Sequence, residues 1–186
     1  LKTLDMSSIT EVGERAFEGS AITAVNLLSD GVVIGKAAFY GCTTLTNAVL
    51  GKDARIGDYA FAGSGVKSVA LGTGATVASF AFSGCSSLSA FDFSGVTGRL
   101  GDYAFYGCTS LKSVSAPLVT ELGAGCFADC FALQSFSAPE LIVIGDYAFA
   151  PYSEESEQGA SFSTIYAPNL KTVGAGAFQA CYNLKS

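Results

Sequence analysis

The chain repeats itself about every 22 residues, and this periodicity limits its possible folds more than any other feature of the sequence. The motif Gly-x-x-Ala-Phe recurs throughout, with Cys126 in place of Ala in one copy and Ala78 in place of Gly in another. Repeats of this length cannot bury an apolar face alone, so they become stable only when neighbours stack. The sequence therefore predicts one solenoid domain over residues 1–186, with eight coils. Their anchoring phenylalanines are Phe17, Phe39, Phe61, Phe82, Phe105, Phe127, Phe149 and Phe178.

A second pattern, apolar-x-x-apolar-x-apolar, begins sixteen or seventeen residues before each anchoring phenylalanine. Leu111, Val114 and Ala116 form one such triplet, and residues 66–71 contain another. The last two apolar positions alternate with polar or small residues, which is the period of a strand with one buried face. We therefore expect one short strand in each coil. A further apolar pair links this strand to the Gly-x-x-Ala-Phe motif.

The Gly-x-x-Ala-Phe motif is predicted to form a single helical turn. In three copies an aspartate follows the glycine, where a carboxylate can cap free N–H groups of its own turn. These residues are Asp58, Asp102 and Asp146. The slot after them is often aromatic, and it predicts a partly exposed row that either packs the coils together or binds a ligand. The row consists of Tyr59, Phe80, Tyr103 and Tyr147.

Five of the six cysteines share one slot, three residues after the anchoring phenylalanine, and Cys126 occupies an Ala slot. A side chain confined to one slot of a solenoid lies between coils, where free Cys behaves as a small apolar residue. Serine occupies the same slot at Ser20 and Ser64. We therefore expect a ladder of buried free thiols without disulfides. Its members are Cys42, Cys85, Cys108, Cys130 and Cys181.

Composition excludes several classes of function. The chain has no His, which removes the usual general base, the Ser-His and Cys-His nucleophile pairs and every His-containing zinc site. We therefore expect no enzyme activity, no catalytic residue, no metal site and no cofactor. Sixteen acidic and ten basic residues give a net charge of −6, which opposes binding to nucleic acid. Glycines 72, 74 and 84 interrupt the one long uncharged stretch, so no membrane insertion is expected.

The repeat resembles the BspA-like leucine-rich repeat family, whose unit reads approximately Leu-x-x-Leu-x-Leu-Pro-x-x-Leu-x-x-Ile-Gly-x-x-Ala-Phe-x-x-Cys. Residues 111–130 and 133–152 match this unit closely, and the resemblance covers essentially the whole chain. It implies an α/β fold: a right-handed solenoid with a parallel β-sheet on the concave face and short helical turns elsewhere. It also implies a cell-surface or extracellular location and binding of a protein or glycan ligand.

In the arrangement that the resemblance implies, the central outward residue of each strand points into the concavity. The candidate ligand-binding residues are therefore Asp5, Asn26, Val49, Ala70, Asp92, Ser115, Ser137 and Tyr166. This surface is neutral to acidic and lacks the Arg and Trp anchors of tight interfaces, so no dominant contact residue is predicted. We expect a non-enzymatic binding or adhesion module. The alternative is a structural spacer or assembly array without a specific ligand.

The step from Phe149 to Phe178 is longer than the others and indicates an insertion near 151–160. Its carboxylates, Glu154, Glu155 and Glu157, either attract Ca²⁺ or belong to a solvated loop. Neither end of the chain carries a polar capping repeat of the kind that solenoids need for solubility. We therefore expect the chain to be a fragment of a longer protein, or to associate end to end with another copy.

Overall fold

The described coils contribute two sets of short strands, and each strand pairs with its equivalent in at least one neighbouring coil. The structure, a computed structural model, describes residues 6–152 and 159–185. The first set, here called the pair strands, comes from the apolar pair before the motif glycine: β1 (Glu11–Val12), β3 (Val33–Ile34), β5 (Arg55–Ile56), β7 (Ala75–Val77), β9 (Val96–Leu100), β11 (Val119–Leu122), β13 (Val143–Ile144) and β15 (Thr172–Val173). The second set, the triplet strands, comes from the apolar triplets: β2 (Ala24–Leu27), β4 (Asn47–Leu50), β6 (Ser68–Leu71), β8 (Ala90–Phe91), β10 (Ser113–Ser115), β12 (Ser135–Ser137) and β14 (Ile165–Tyr166).

All pairings between these strands are parallel, because one complete coil of chain separates each strand from its partner. The pair strands form one sheet in the order β1-β3-β5-β7-β9-β11-β13-β15. The triplet strands form two sheets, β2-β4-β6-β8 and β10-β12-β14. Equivalent residues lie side by side, as Val25 does with Ala48 and Ala48 with Val69. The repeat pattern predicts a solenoid and the family resemblance implies parallel strands, and the structure has both.

The pair strands go beyond the single strand per coil that the sequence predicts. Most contain two residues, of which the second is generally buried, as at Ile34 and Ile56. Two residues are too few to show an alternating pattern, so periodicity cannot reveal such a strand. Stacking against the equivalent strands of neighbouring coils supplies the hydrogen-bond partners that create it.

The Gly-x-x-Ala-Phe motif forms a series of tight turns, not the helical turn that the sequence predicts. Tyr59 has a φ of 57°, in the left-handed region, so successive N–H groups do not line up along one axis. The N–H of Phe61 instead donates to the carbonyl oxygen of Ala81 in the next coil, at 2.8 Å. The expected α/β class therefore needs correction, since the one helix among the described residues is a 3-10 turn at Phe93–Gly95. The fold is a β-solenoid.

The aspartates of the motif also have different partners from those expected. Each accepts a hydrogen bond from a backbone N–H of the following coil, not from its own turn. The Oδ1 atom of Asp102, for example, lies 2.9 Å from the nitrogen of Ala124. Asp58 and Asp146 bond the N–H groups of residues 79 and 175 in the same way, at 3.1 and 2.7 Å. These carboxylates therefore join neighbouring coils by satisfying an N–H that no strand ladder uses.

The anchoring phenylalanines form a continuous stack through the core. Neighbouring rings from Phe17 to Phe178 are nearly parallel, with centroids 5.1 to 5.7 Å apart and interplanar angles of 3° to 13°. This separation is close to the spacing of ~4.8 Å between parallel strands. The rings from Phe39 to Phe149 are fully buried. Each coil therefore completes the core of the coils on both sides of it.

The motif glycines allow neighbouring coils to approach closely. A Cβ atom on Gly57 would lie 2.6 Å from the carbonyl oxygen of Ile34, and one on Gly145 would lie 2.7 Å from the nitrogen of Ala124. Gly13, in the first coil, has nothing within 4 Å of such a position. The glycine is therefore required by contact with the preceding coil.

The expected thiol ladder is confirmed, since all six cysteines are free and buried. Each slot cysteine also donates its thiol proton to the carbonyl oxygen of the anchoring phenylalanine one coil earlier, as Cys85 does to Phe61 at 3.1 Å. Burial raises the pKa of Cys85 to about 11 and raises those of Cys108, Cys126, Cys130 and Cys181 as well. Ser64 replaces a cysteine and lies 3.5 Å from the Cys85 sulfur. The slot therefore accepts a small polar side chain in place of Cys, whereas Tyr152 at the equivalent position after Phe149 is exposed.

Candidate functional site

The outward residues of the triplet strands form a surface that we call the triplet face. The structure places most of the predicted ligand-binding residues on it in two separate rows. Asn26 pairs with Val49 and Val49 with Ala70 in the first sheet, while Ser115 pairs with Ser137 and Ser137 with Tyr166 in the second. All are exposed except Ser137, which is half-buried. Asp92 follows the last strand of the first sheet, and Asp5 lies outside the described residues.

The gap between the two rows falls at the coil that carries phenylalanine at both of the last two triplet positions. Phe91 and Phe93 take the places that Val114 and Ala116 hold in the next coil. The Phe91 ring packs edge-on against Phe105, the anchoring phenylalanine of its own coil, with centroids 4.8 Å apart. The strand β8 ends at Phe91, and the chain leaves it through the 3-10 turn Phe93–Gly95, so β8 does not pair with β10. The triplet face is therefore interrupted at one place among the described coils.

This interruption creates a cavity of about 360 Å³ on the triplet face. Its apolar lining comes from the partly buried ring of Phe91 and from Val69. Its polar lining includes the exposed Asp92, whose Oδ1 accepts bonds from the nitrogen and the hydroxyl of Ser94 at 3.0 and 2.5 Å. The remaining lining residues are Ser89, Ala90 and Ser113. The volume lies at the lower end of the range for small-ligand pockets.

The lining of this cavity supplies both apolar and polar contacts for a ligand. It offers an aromatic surface, serine hydroxyls and one carboxylate, which is fixed by its hydrogen bonds to Ser94. Within residues 6–152 and 159–185, no three metal-ligating side chains come together. The sequence analysis identified Asp92 as a candidate but did not predict the cavity around it. The one sequence signal of the interruption between β8 and β10 is the pair of phenylalanines at 91 and 93.

The aromatic row predicted from the motif is confirmed for three of its four members. Tyr59 stacks on Phe80, with centroids 4.7 Å apart, and Phe80 stacks on Tyr103 at 5.0 Å. Tyr147 stands apart from this stack because Gly125 occupies the intervening slot, and the ring of Tyr103 lies against that glycine. The row is half-buried from Tyr59 to Tyr103.

The acidic insertion gives no site that the structure describes. Glu154, Glu155 and Glu157 lie outside the described residues, so their suggested attraction for Ca²⁺ stays a prediction. Past the insertion, the buried ring of Phe162 packs edge-on against Phe149, with centroids 5.2 Å apart.

Comparison with known families identifies the repeat. The profile described as the BspA type leucine-rich repeat region matches in six copies, over residues 1–77, 33–155 and 75–186. The chain belongs to this family. The expected resemblance to the BspA type is thereby confirmed, and the matched regions together span the described solenoid. No curated protein matches the chain significantly.

Three solved structures resemble this BspA type solenoid. A leucine-rich repeat protein from Bacteroides ovatus is 28% identical, has a TM-score of 0.63, and is covered over 40% of its length by 96% of this chain. A Treponema pallidum leucine-rich repeat protein is 18% identical, with a TM-score of 0.41 and coverage of 96% of this chain and 79% of that one. A Faecalibacterium prausnitzii leucine-rich cell surface protein is 19% identical, with a TM-score of 0.40 and coverage of 95% and 42%. The chain thus spans less than half of the Bacteroides ovatus protein.

The described part of this BspA type chain contains no helix with the length and apolar character needed to cross a bilayer.

Proposed function

We propose that this chain is a non-enzymatic binding or adhesion module that recognises a protein or glycan ligand through the triplet face. The observation that carries the proposal is the cavity beside Asp92, which lies where the sheet on that face is interrupted. It supplies a recessed aromatic anchor on a surface whose other outward residues are mostly small. Recessed anchors of this kind account for much of the binding energy of protein interfaces.

The charge of the cavity favours a ligand group that donates hydrogen bonds. Asp92 is its one charged lining residue, and hydroxyls of Ser89 and Ser113 lie around it. An amide, a hydroxyl or an ammonium group can satisfy such acceptors, and both peptides and glycans carry donors of this type. Seven strands at a spacing of ~4.8 Å extend the surface to roughly 30 Å, enough for a standard-sized interface.

We also propose a cell-surface or extracellular location, as membership of the BspA type family suggests. The ladder of buried free thiols is compatible with a reducing or an oxidising compartment, because these cysteines form no disulfide. In this proposal the chain forms one domain of a longer repeat array.

A structural spacer or assembly array is the second candidate. One observation favours it: the last described coil exposes apolar residues that inner coils bury. Val173 is 50% exposed, whereas its counterpart Ile144 in the preceding coil is fully buried, and Phe178 is only partly buried. Another coil, in a longer array or in a second copy, would cover them.

The two candidates are distinguished by screening the chain on a glycan and extracellular-matrix array and then blocking the cavity. Ala90→Arg places a long side chain in the cavity, while Thr120→Arg makes the same change on an exposed position of β11 in the other sheet. Under the binding hypothesis, Ala90→Arg weakens the array-detected interaction by at least about tenfold, the loss expected for one hot-spot contact. Thr120→Arg leaves it unchanged, and circular dichroism checks that both variants fold.

Equal binding by Ala90→Arg and the wild type contradicts the assignment of the cavity. A chain that binds nothing on the array but sediments as concentration-dependent assemblies supports the spacer or array instead.

A further inference from the structure

A second cleft lies at the turn motifs of the first three coils, where the aromatic row ends. The slot that carries Tyr59 in the third coil carries Ala37 in the second and Arg15 in the first. All three residues have the same left-handed backbone, with φ values of 57°, 54° and 55°. Their side chains therefore leave the coils in similar directions, and the row continues past Tyr59 with an alanine in place of a ring.

Because the side chain of Ala37 is small, a cleft of about 310 Å³ remains between Arg15 of the first coil and Tyr59 of the third. Tyr59 stacks on Phe80 toward the fourth coil, and its other face borders the cleft. Arg15 stands two coils from Tyr59, a separation of roughly 10 Å at the ~4.8 Å spacing of parallel strands. That distance admits one ring-shaped group above Ala37, which is buried and forms the floor.

Polar and charged groups surround this single-ring space. Arg15 forms an ion pair with Glu18, with Nη1 and Oε2 3.3 Å apart. Lys36 is exposed and makes none of the ion pairs found in the described residues. Tyr40 is 44% exposed and completes the lining. Arg15 also lies 3.8 Å from the Oε1 atom of Glu14, so two carboxylates balance its charge and Lys36 is the lining cation without an ion pair.

We propose that this cleft binds a pyranose ring that carries a carboxylate, as at the acidic end of a glycan. The ring stacks on the open face of Tyr59, and its carboxylate pairs with the unpartnered ammonium of Lys36. Glu18 and the Tyr40 hydroxyl form hydrogen bonds with the hydroxyl groups of the sugar ring. An aromatic protein side chain has no such hydroxyls and would leave these two groups without partners. The cleft shares no lining residue with the cavity on the triplet face, so this inference stands apart from the proposed function.

The test is a titration of the isotope-labelled chain followed by NMR, with methyl β-D-glucuronide and methyl β-D-glucoside as matched probes. The glucuronide is expected to shift amide signals of residues 15–18, 36–40 and 59 and to bind about fivefold more tightly than the glucoside, the upper range for an exposed ion pair. Raising the salt concentration removes this preference, because exposed charges are screened.

Variants separate the two contacts. Tyr59→Ala weakens both probes by about tenfold, the value of one aromatic stacking contact, and Tyr59→Phe retains binding because it keeps the ring. Lys36→Gln reduces the glucuronide affinity to that of the glucoside and leaves the glucoside unchanged. Tyr182→Ala removes an exposed tyrosine of the last coil, is expected to change neither affinity, and controls for nonspecific sugar contacts.

Any of three outcomes overturns the proposal: no shift in the first three coils up to the solubility limit of the glucuronide, equal affinity for both probes, or full binding by Tyr59→Ala. Heteronuclear spectra of each variant show whether it is folded, so a loss of binding cannot be mistaken for unfolding.

Discussion

Replacing Phe105 by Ala tests whether the ring stack holds the solenoid together. Phe105 is fully buried at the centre of the stack, with ring centroids 5.4 and 5.3 Å from Phe82 and Phe127. It also contacts Phe91 edge-on at 4.8 Å and Phe93 at 5.1 Å. The substitution therefore opens a cavity lined by four other rings, two from the neighbouring coils and two from the triplet segment of its own coil.

The expected loss follows from burial and from the ring contacts. Burial alone predicts about 4 kcal/mol for a Phe→Ala change in a core, and the surrounding rings cannot collapse into the space without breaking coil spacing. Phe17→Ala is the matched control, since Phe17 occupies the same slot in the first coil, is half-buried, and has one described ring neighbour, Phe39, at 5.2 Å. A cost of about 2 kcal/mol or less is expected there.

Urea unfolding followed by circular dichroism measures the difference. With a slope of about 2 kcal/mol per molar urea, the midpoint falls by about 2 M for Phe105→Ala and by less than about 1 M for Phe17→Ala. If Phe105→Ala costs no more than Phe17→Ala, the interior is not a continuous stack in which each coil shields its neighbours. The same result would remove the basis for placing the candidate sites by register.

Four further predictions concern the contacts between coils and the thiols buried there. Gly57→Ala forces a Cβ against the Ile34 carbonyl and is expected to lower the melting temperature sharply, while Gly13→Ala, which meets nothing within 4 Å, changes it little; equal shifts would contradict the role of coil contact. The native thiols resist a thiol reagent at pH 8 and all six react after denaturation without reductant. Because burial raises the pKa of Cys85 to about 11 from 9.0, its contribution to stability is complete below pH 9 and is lost as the pH rises toward 11, which urea midpoints measured across that range would show. Asp102→Ala leaves the N–H of residue 124 without its acceptor and is expected to lower the free energy of unfolding by about 1–2 kcal/mol. If the difference between wild type and variant disappears at high salt, the ion pair of Asp102 with Arg99 accounts for it instead.

The family and the buried core are readable from the residues alone. The recurring Phe slot predicts the buried stack, and the confinement of Cys85 and its equivalents to one slot predicts buried thiols. Both predictions hold because identical positions in stacked coils share one environment, so a residue type repeated at one slot reports that environment. The eight candidate ligand-binding residues also follow from register, and seven of them are among the residues that the structure describes. Of these seven, Asp92 lines the cavity.

The misses share one physical cause, which is hydrogen bonding between coils. The motif Gly-x-x-Ala-Phe looks like a helical turn when read locally, but its alternate N–H groups bond the next coil, as Phe61 does with Ala81. Asp102 is a capping residue in sequence and a bridge between coils in the structure. A local pattern contains no information about which carbonyl oxygen lies one coil away.

The amino-acid order by itself determined the stack of coils, because a Phe every 22 residues can be buried only by a copy of itself. Only the tertiary structure decided where that regular stack opens. The cavity beside Asp92 lies where β8 ends in the 3-10 turn Phe93–Gly95 and does not pair with β10, and the cleft beside Tyr59 lies where Ala37 leaves one position of an aromatic row unfilled. Each opening is a departure of one coil from its neighbours, and it can be located only when the coils are placed in register against one another.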